Sequence, residues 1–222
     1  MRVLVIDSSA GSLAALVDVD GGRAGVLAQA TNASARQHAE SLSPLVRQVL
    51  AEAGIQLADV DLVAVGTGPA PYTGLRAGIV TARLLASAAG VPVTGVCPLD
   101  VLAAQAFAAG ASGEVLVATD GRRREVYWAT YRADGDDVAR VHELAVETPA
   151  AVRAWLAGEG AGVAGVTGPG VGLYDQALEA RGEQAGELAA GAFARLAAAR
   201  FAAGTVGSLE PAYLRRPDIH GQ

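Results

Sequence analysis

Two apolar runs in this chain, VLVID ending at Asp7 and VLVATD ending at Asp120, open segments built on one plan. After the first, a polar turn (SSAGS) leads to LAALVDVD and then GGRAGVLAQA, short β-rich runs parted by Gly, Ser and Asp clusters, as hairpins require. After the second, GRRR leads to EVYWATYR and ARVHELAV. Each trio is followed by helical spacing, a further apolar run (DLVAVG at 61–66, GVAGVTG at 162–168) and a Gly-Pro pair, Gly68-Pro69 or Gly168-Pro169. This repeat, offset by roughly one hundred residues, constrains the fold more than any single motif, because strand order and both turns agree.

The first half reads βββαβαβα. Its first helix is expected over 34–53, with Thr31, Asn32 and Ser34 as N-caps. Apolar residues recur there at Ala35, Ala39, Leu42, Val46, Val49 and Ala53, in steps of four and three, and Leu45 and Leu50 widen the stripe. Further helices are expected from about Arg76 to Ala89, over 99–109, over 149–157 and after Gly168-Pro169. Two βββαβα lobes, 1–105 and a smaller 106–222, with a cleft between them make an α/β architecture of the actin, Hsp70 and sugar-kinase (ASKHA) type. Ligands of such folds lie between the lobes, against loops joining the first strand pairs, although fold alone assigns no function.

Composition removes several chemistries. All 17 basic residues are arginine, which excludes a Schiff-base lysine and a Walker-type phosphate loop. A net charge of −6 leaves RNA contact to a local arginine patch or a basic partner. The single cysteine, Cys97, allows no internal disulfide and reads as a small core residue beside a proline. His38, His142 and His220 stand too far apart for a local zinc cluster. No run reaches the roughly 18–20 apolar residues that span a bilayer, and Asp7 interrupts the first one, so a soluble cytoplasmic protein is expected.

Asp7, Ser8 and Ser9 at the first strand end either surround a phosphate or its metal, or cap a hairpin. Ser9 stands where the superfamily's usual turn has glycine, which weakens the nucleotide reading. In GTGPAPYTGLRAGIVTAR (66–83), Pro71 occupies the place of the third glycine of G-x-G-x-x-G. A proline-rigid turn then feeds a helix with Thr73 or Gly74 near its cap, and Gly68, Thr73 and Gly74 would offer amides to an anion beside Arg76. Asp120, Arg122 and Arg123 face this from the second half, and the triplet Arg122–Arg124 is either a solvated loop or a contact for an anionic ligand or RNA. Leu42, Val46 and Val49 make a heptad-like seam, and Gly78, Ala82, Ala86 and Ala89 a small-residue side, suited to packing within the chain or against another subunit. If the seam meets a partner, Leu42→Asp or Val46→Asp should block pairing and leave the monomer folded.

Four segments resemble the TsaB (YeaZ) family. GPAPYTGLRAGIVTARLLA is similar to its GPGSFTGLRIG-type signature, with Ala70 and Pro71-Tyr72 departing from it. ARQHAESLSPLV resembles its R-x-H-S-E-x-L-x-P segment at Arg36, His38, Glu40, Leu42 and Pro44. TDGRRREVYWATY resembles D-A-R-R-x-E-V-Y at Asp120, Arg122, Arg123, Glu125, Val126 and Tyr127, and PAYLR adds Tyr213 and Arg215. The resemblance implies an actin-like fold and a non-catalytic dimerisation or scaffold role in forming N6-threonylcarbamoyladenosine beside the tRNA anticodon. TsaD, the larger paralogue, transfers the threonylcarbamoyl group from an adenylate, and TsaE, an ATPase, completes the complex.

The same resemblance implies an interface on the first lobe's helices, with Arg36, His38, Leu42, Leu45, Val46, Val49, Arg76 and Ala82 as candidates. It implies a homodimer when TsaD is absent, tRNA contact only through the complex, no membrane, and no cofactor of the chain's own, since ATP and threonylcarbamoyl adenylate serve the complex. The paralogue's H-x-x-x-H metal pair would fall on Pro98 and Leu102 in GVCPLDVLA, neither of which binds metal. The competing class is an actin-like ATPase or phosphotransferase acting alone, with Asp7 and Asp120 facing a nucleotide.

Overall fold

Alternating side chains decide the layers of this protein. In β1 (Arg2–Asp7), Val3 and Val5 point to one apolar cluster and Leu4 and Ile6 to another, so the strand is buried on both faces. The computed structural model describes residues 1–32, 38–70, 72–174, 178–182 and 184–215, with the side chains of 38–41, 72 and 73 outside the description. β1 pairs antiparallel with β2 (Ser12–Asp20), which pairs with β3 (Arg23–Asn32); on its other side β1 runs parallel to β4 (Leu62–Gly66), and β4 to β5 (Val93–Val96). The sheet order is β3-β2-β1-β4-β5.

The second sheet repeats the plan. β6 (Val115–Arg122) pairs antiparallel with β7 (Glu125–Asp134), β7 with β8 (Asp137–Glu147), and β6 runs parallel to β9 (Gly165–Thr167), giving the order β8-β7-β6-β9. Even the register agrees: Leu4 lies opposite Val63, and Leu116 opposite Val166. The duplicated topology is that of the actin-like fold. The repeat read in the sequence is therefore structural, not a product of Ala, Gly and Val composition.

Helices fill the faces. α1 (His38–Ala53) and α2 (Tyr72–Ala89) cover one side of the first sheet, and α4 (Pro149–Ala157), capped by the Thr148 hydroxyl, covers one side of the second. α3 (Pro98–Ala108) and α5 (Ala190–Ala202) form a layer between the sheets. Val101 and Ala104 of α3 join the first sheet's cluster, while Leu99, Leu102, Ala103 and Ala106 fill the second's. The expected division after residue 105 falls inside this shared helix.

Ion pairs bind the layer. Asp100 on α3 accepts from Arg140 of β8 at 2.7 Å, from Arg200 of α5 at 3.0 Å and from the Tyr131 hydroxyl at 3.1 Å. Arg200 also forks onto Asp137. Breaking such a largely buried network costs more than a surface pair, because one charge is left without its partner.

Three expectations fail locally. Thr31 and Asn32 end strand β3 and cap no helix, because the β2 ladder holds them opposite Leu13 and Ser12. The helix expected from Arg76 already includes Tyr72, which puts Gly74 inside its first turn. Gly168-Pro169 does not lead straight into a helix among the described residues; the chain there turns, Arg181 bridges back to Val166, and the helix that follows, α5, begins at Ala190. The sequence reading set no bounds on α5, although Phe193, Leu196, Ala197 and Arg200 carry helical spacing; it leaves the second lobe to pack on the first sheet.

Candidate functional site

The two strand-end aspartates make matching turns. Asp7 Oδ1 accepts from the backbone N–H of Ser9 at 3.0 Å and from its hydroxyl at 2.7 Å. Asp120 Oδ1 accepts from the backbone N–H of Arg122 at 2.8 Å. Each carboxylate thus closes the turn two residues ahead of it, the geometry favoured for Asp at such positions. These bonds are the ones a hairpin cap makes.

Close packing ties the first turn to the start of α2. The Ser8 hydroxyl donates to the Gly74 carbonyl at 2.9 Å, tying β1 to the start of α2. Gly78 permits that approach, since a Cβ there would strike Ser8 Oγ, and Gly66 likewise leaves room for the Asp7 carboxylate. Gly68 holds φ +88° above the Leu75 side chain, and Gly168, its counterpart in the repeat, holds φ +107°. The Thr73 side chain lies outside the described residues. Gly68 and Gly74 thus serve the packing of the turn and helix.

The C-terminal segment crosses from one lobe to the other. Gly207 lies along β5, donating to Thr94 Oγ1 at 2.9 Å and accepting from Gly95 N–H at 3.2 Å, and Leu209 packs on the α1–α2 side. Ala212 N–H donates to the Thr67 carbonyl at 2.8 Å, and Arg76 Nε to the Tyr213 hydroxyl at 2.8 Å. Two residues on, Arg215 pairs with Glu125 and lies 5.6 Å from the centre of the Tyr127 ring. Resembling motifs far apart in sequence therefore meet here, with Arg76, Glu125, Tyr127, Tyr213 and Arg215 forming one bridge.

Beside that bridge the chain does something unusual. Arg122, Arg123 and Arg124 take φ +60°, +56° and +62° in succession, a left-handed run without glycine. Such conformations cost a side-chain-bearing residue roughly 1–2 kcal/mol each. Asp120 anchors the run through the Arg122 backbone and, at 3.2 Å, its guanidinium; the Tyr174 hydroxyl donates to the same carboxylate. That bond pushes the Tyr174 phenol above its ordinary range. All three arginine side chains are exposed.

The expected partner seam is corrected by the packing. Leu42, Leu45, Val46, Val49 and Ala82 are buried in the first lobe's own core, against β1, β2 and β4. Those positions face the sheet because a helix laid on a sheet must bury one stripe against it. Arg36 lies outside the described residues, as does the side chain of His38. Arg76 is exposed but engaged by Tyr213. What the helices leave uncovered is Val80 and Leu84, one turn apart on α2 and 54% and 66% exposed, flanked by Arg76 and Arg83. Strict heptad spacing drew attention to the covered stripe; exposure depends on what packs where.

Burial, aided by Asp100, pushes the Cys97 thiol up to about 12, far from a ready thiolate. Pro98 and Leu102 are buried apolar positions on α3. His142 stacks on Trp128 at 4.3 Å and meets Trp155 edge-on. Among the described residues no group of His, Cys, Asp and Glu is placed to hold a metal, and no helix is long and apolar enough to cross a membrane.

Similarity to known proteins extends over most of the chain. Residues 25–167 match the profile of a family described as TsaD, tRNA N6-adenosine threonylcarbamoyltransferase. An uncharacterized protein of Mycobacterium tuberculosis is 50% identical over 106 residues, 48% of each chain. The tRNA threonylcarbamoyladenosine biosynthesis protein TsaB of Escherichia coli is 33% identical over 138 residues, 62% of this chain and 58% of that one. The aligned part thus spans about half the length of these curated relatives. The solved structure of YeaZ from Pseudomonas aeruginosa matches at 31% identity with a TM-score of 0.73, over 96% of this chain and 99% of that one.

Proposed function

The chain belongs to the TsaB (YeaZ) family, and from that premise we propose that it is a non-catalytic scaffold subunit for forming N6-threonylcarbamoyladenosine in tRNA. It acts in the cytoplasm with TsaD, which carries the transferase chemistry, and with TsaE. ATP and threonylcarbamoyl adenylate are substrates of that complex, and the chain has no cofactor of its own. The observation that carries this reading is the uncovered apolar pair Val80 and Leu84 on α2, which invites a second protein surface or a second copy of the chain when TsaD is absent.

The enzyme alternative, an ATPase or phosphotransferase acting alone, is disfavoured by the same geometry. Its carboxylates, Asp7 and Asp120, are already committed to turn-closing hydrogen bonds, and the chain's own residues 207–215 bridge the lobes that such an enzyme moves. The deciding experiment is reconstituted tRNA threonylcarbamoylation with TsaD, TsaE and threonylcarbamoyl adenylate, with and without this chain, and with this chain alone. Product requiring both this chain and TsaD is the expected result. Full activity without it, together with nucleotide hydrolysis by the chain alone, would establish the enzyme instead.

A further inference from the structure

We propose that a cavity of about 550 Å³ between the lobes, lined by Arg195 and Asp136, binds a free α-amino acid with an apolar side chain. The repeat itself builds this cavity. The β2–β3 turn, through Gly22, and the β7–β8 turn, through Gly135 and Asp136, are equivalent hairpin tips of the two lobes. Both border the cavity, together with the C-terminal parts of α3 and α5. Strand register puts it at the far end of both sheets from Asp7 and Asp120, since Arg2 lies opposite Asp18 and Val115 opposite Tyr131. It is therefore separate from the strand-end turns and from the C-terminal bridge. Its volume falls within the roughly 300–1,000 Å³ typical of small-molecule sites.

The lining gives the ligand its chemical class. Val19, Phe107, Val138 and Ala202 supply an apolar wall. Asp137 also lines the cavity, but Arg200 meets its charge at 2.7 Å. Among the described residues, the side chains of Arg195 and Asp136 have no ion-pair or hydrogen-bond partner, each other included. The cavity thus presents one unmatched cation on α5 and one unmatched anion on the β7–β8 turn. A simple anion would meet Asp136, and a simple cation Arg195. A zwitterion answers both, its carboxylate on the guanidinium and its ammonium on the carboxylate, while its apolar side chain covers the wall. Arg195 is half-buried and Asp136 exposed, so the contact to Arg195 is the less screened of the two.

The test is calorimetric titration of the full chain with L-phenylalanine and L-leucine, beside hydrocinnamate, which lacks the ammonium, and phenethylamine, which lacks the carboxylate. Both amino acids should bind one to one. At about ten times its dissociation constant, phenylalanine should raise the melting temperature by about 3 °C. Arg195→Gln should weaken phenylalanine binding about tenfold, and Asp136→Asn about threefold because of its exposure. Ala202→Trp fills the apolar wall from an exposed position, so it should abolish binding and leave the melting temperature of the free chain unchanged. No saturable binding of either amino acid up to about 10 mM would overturn the proposal. Binding untouched by Arg195→Gln and Ala202→Trp would overturn it by placing the ligand elsewhere. Hydrocinnamate binding as tightly as phenylalanine would overturn it too, since the site would then take a simple carboxylate.

Discussion

Arg76 and Tyr213 hold one end of the C-terminal segment to the first lobe as Arg215 and Tyr127 hold the other to the second, each guanidinium 5.6 Å from its ring centre. The two pairs are reciprocal, since the segment supplies the ring in one and the cation in the other. Together with Ala212 on Thr67, they close the lobes from the side opposite in role to the buried Asp100–Arg200–Asp137 network, by surface fastening instead of core burial.

Tyr213→Ala and Arg215→Ala should each cost about 1–2 kcal/mol in urea unfolding, from lost cation–π and charge-assisted bonds. The more telling readout is amide hydrogen exchange. Faster exchange at the Thr67 loop and the β6–β7 hairpin is expected in both variants; protection equal to the wild type there would mean that the segment does not restrain the lobes.

Gly66→Ala should destabilise the chain by about 1–3 kcal/mol, because its methyl would strike the buried Asp7 carboxylate. Asp7→Ser vacates part of that space. Thermal melts of both single variants and the double variant form a cycle in which the pair costs less than the sum. Strict additivity would show that the two residues do not meet.

Leu42→Asp and Val46→Asp should unfold the first lobe, by 3 kcal/mol or about that, since each buries an unpaired charge in the core. Val80→Asp and Leu84→Asp should change stability by less than about 0.5 kcal/mol while abolishing self-association and TsaD binding. Circular dichroism melts and analytical ultracentrifugation separate the two classes. Folded Leu42→Asp or fully associating Leu84→Asp would reverse the assignment of faces.

Acid should weaken the Arg200 clasp in a defined direction. Burial works to raise the Asp137 carboxyl, but the Arg200 hydrogen bonds and charge bring it below its ordinary 3.8. The stabilisation is therefore complete above that ordinary value and is lost as pH falls through the lower folded one. Asp137→Asn should cost at most about 1 kcal/mol at neutral pH, given its partial exposure, and should flatten the loss of stability between about pH 5 and 3. A variant whose acid limb matches the wild type would place the sensitivity in other carboxylates.

What the amino-acid order determined by itself was the duplicated lobe. Period-2 runs, their turn residues and the two Gly-Pro pairs are local patterns, and local sterics and alternation are enough to set strand existence, order and pairing. The motifs also carried the family. The tertiary structure decided which stripe of α1 and α2 is core: Leu42 and Val46 face the sheet and Leu84 faces out, because burial depends on the layer each helix meets. It decided that Ser8 and Ser9 spend their hydroxyls inside the chain, and that α5 returns to the first lobe's sheet. It also brought Tyr213 to Arg76 and Arg215 to Glu125. Contacts between residues so far apart in the chain leave no periodic trace, since they depend on where whole layers come to rest.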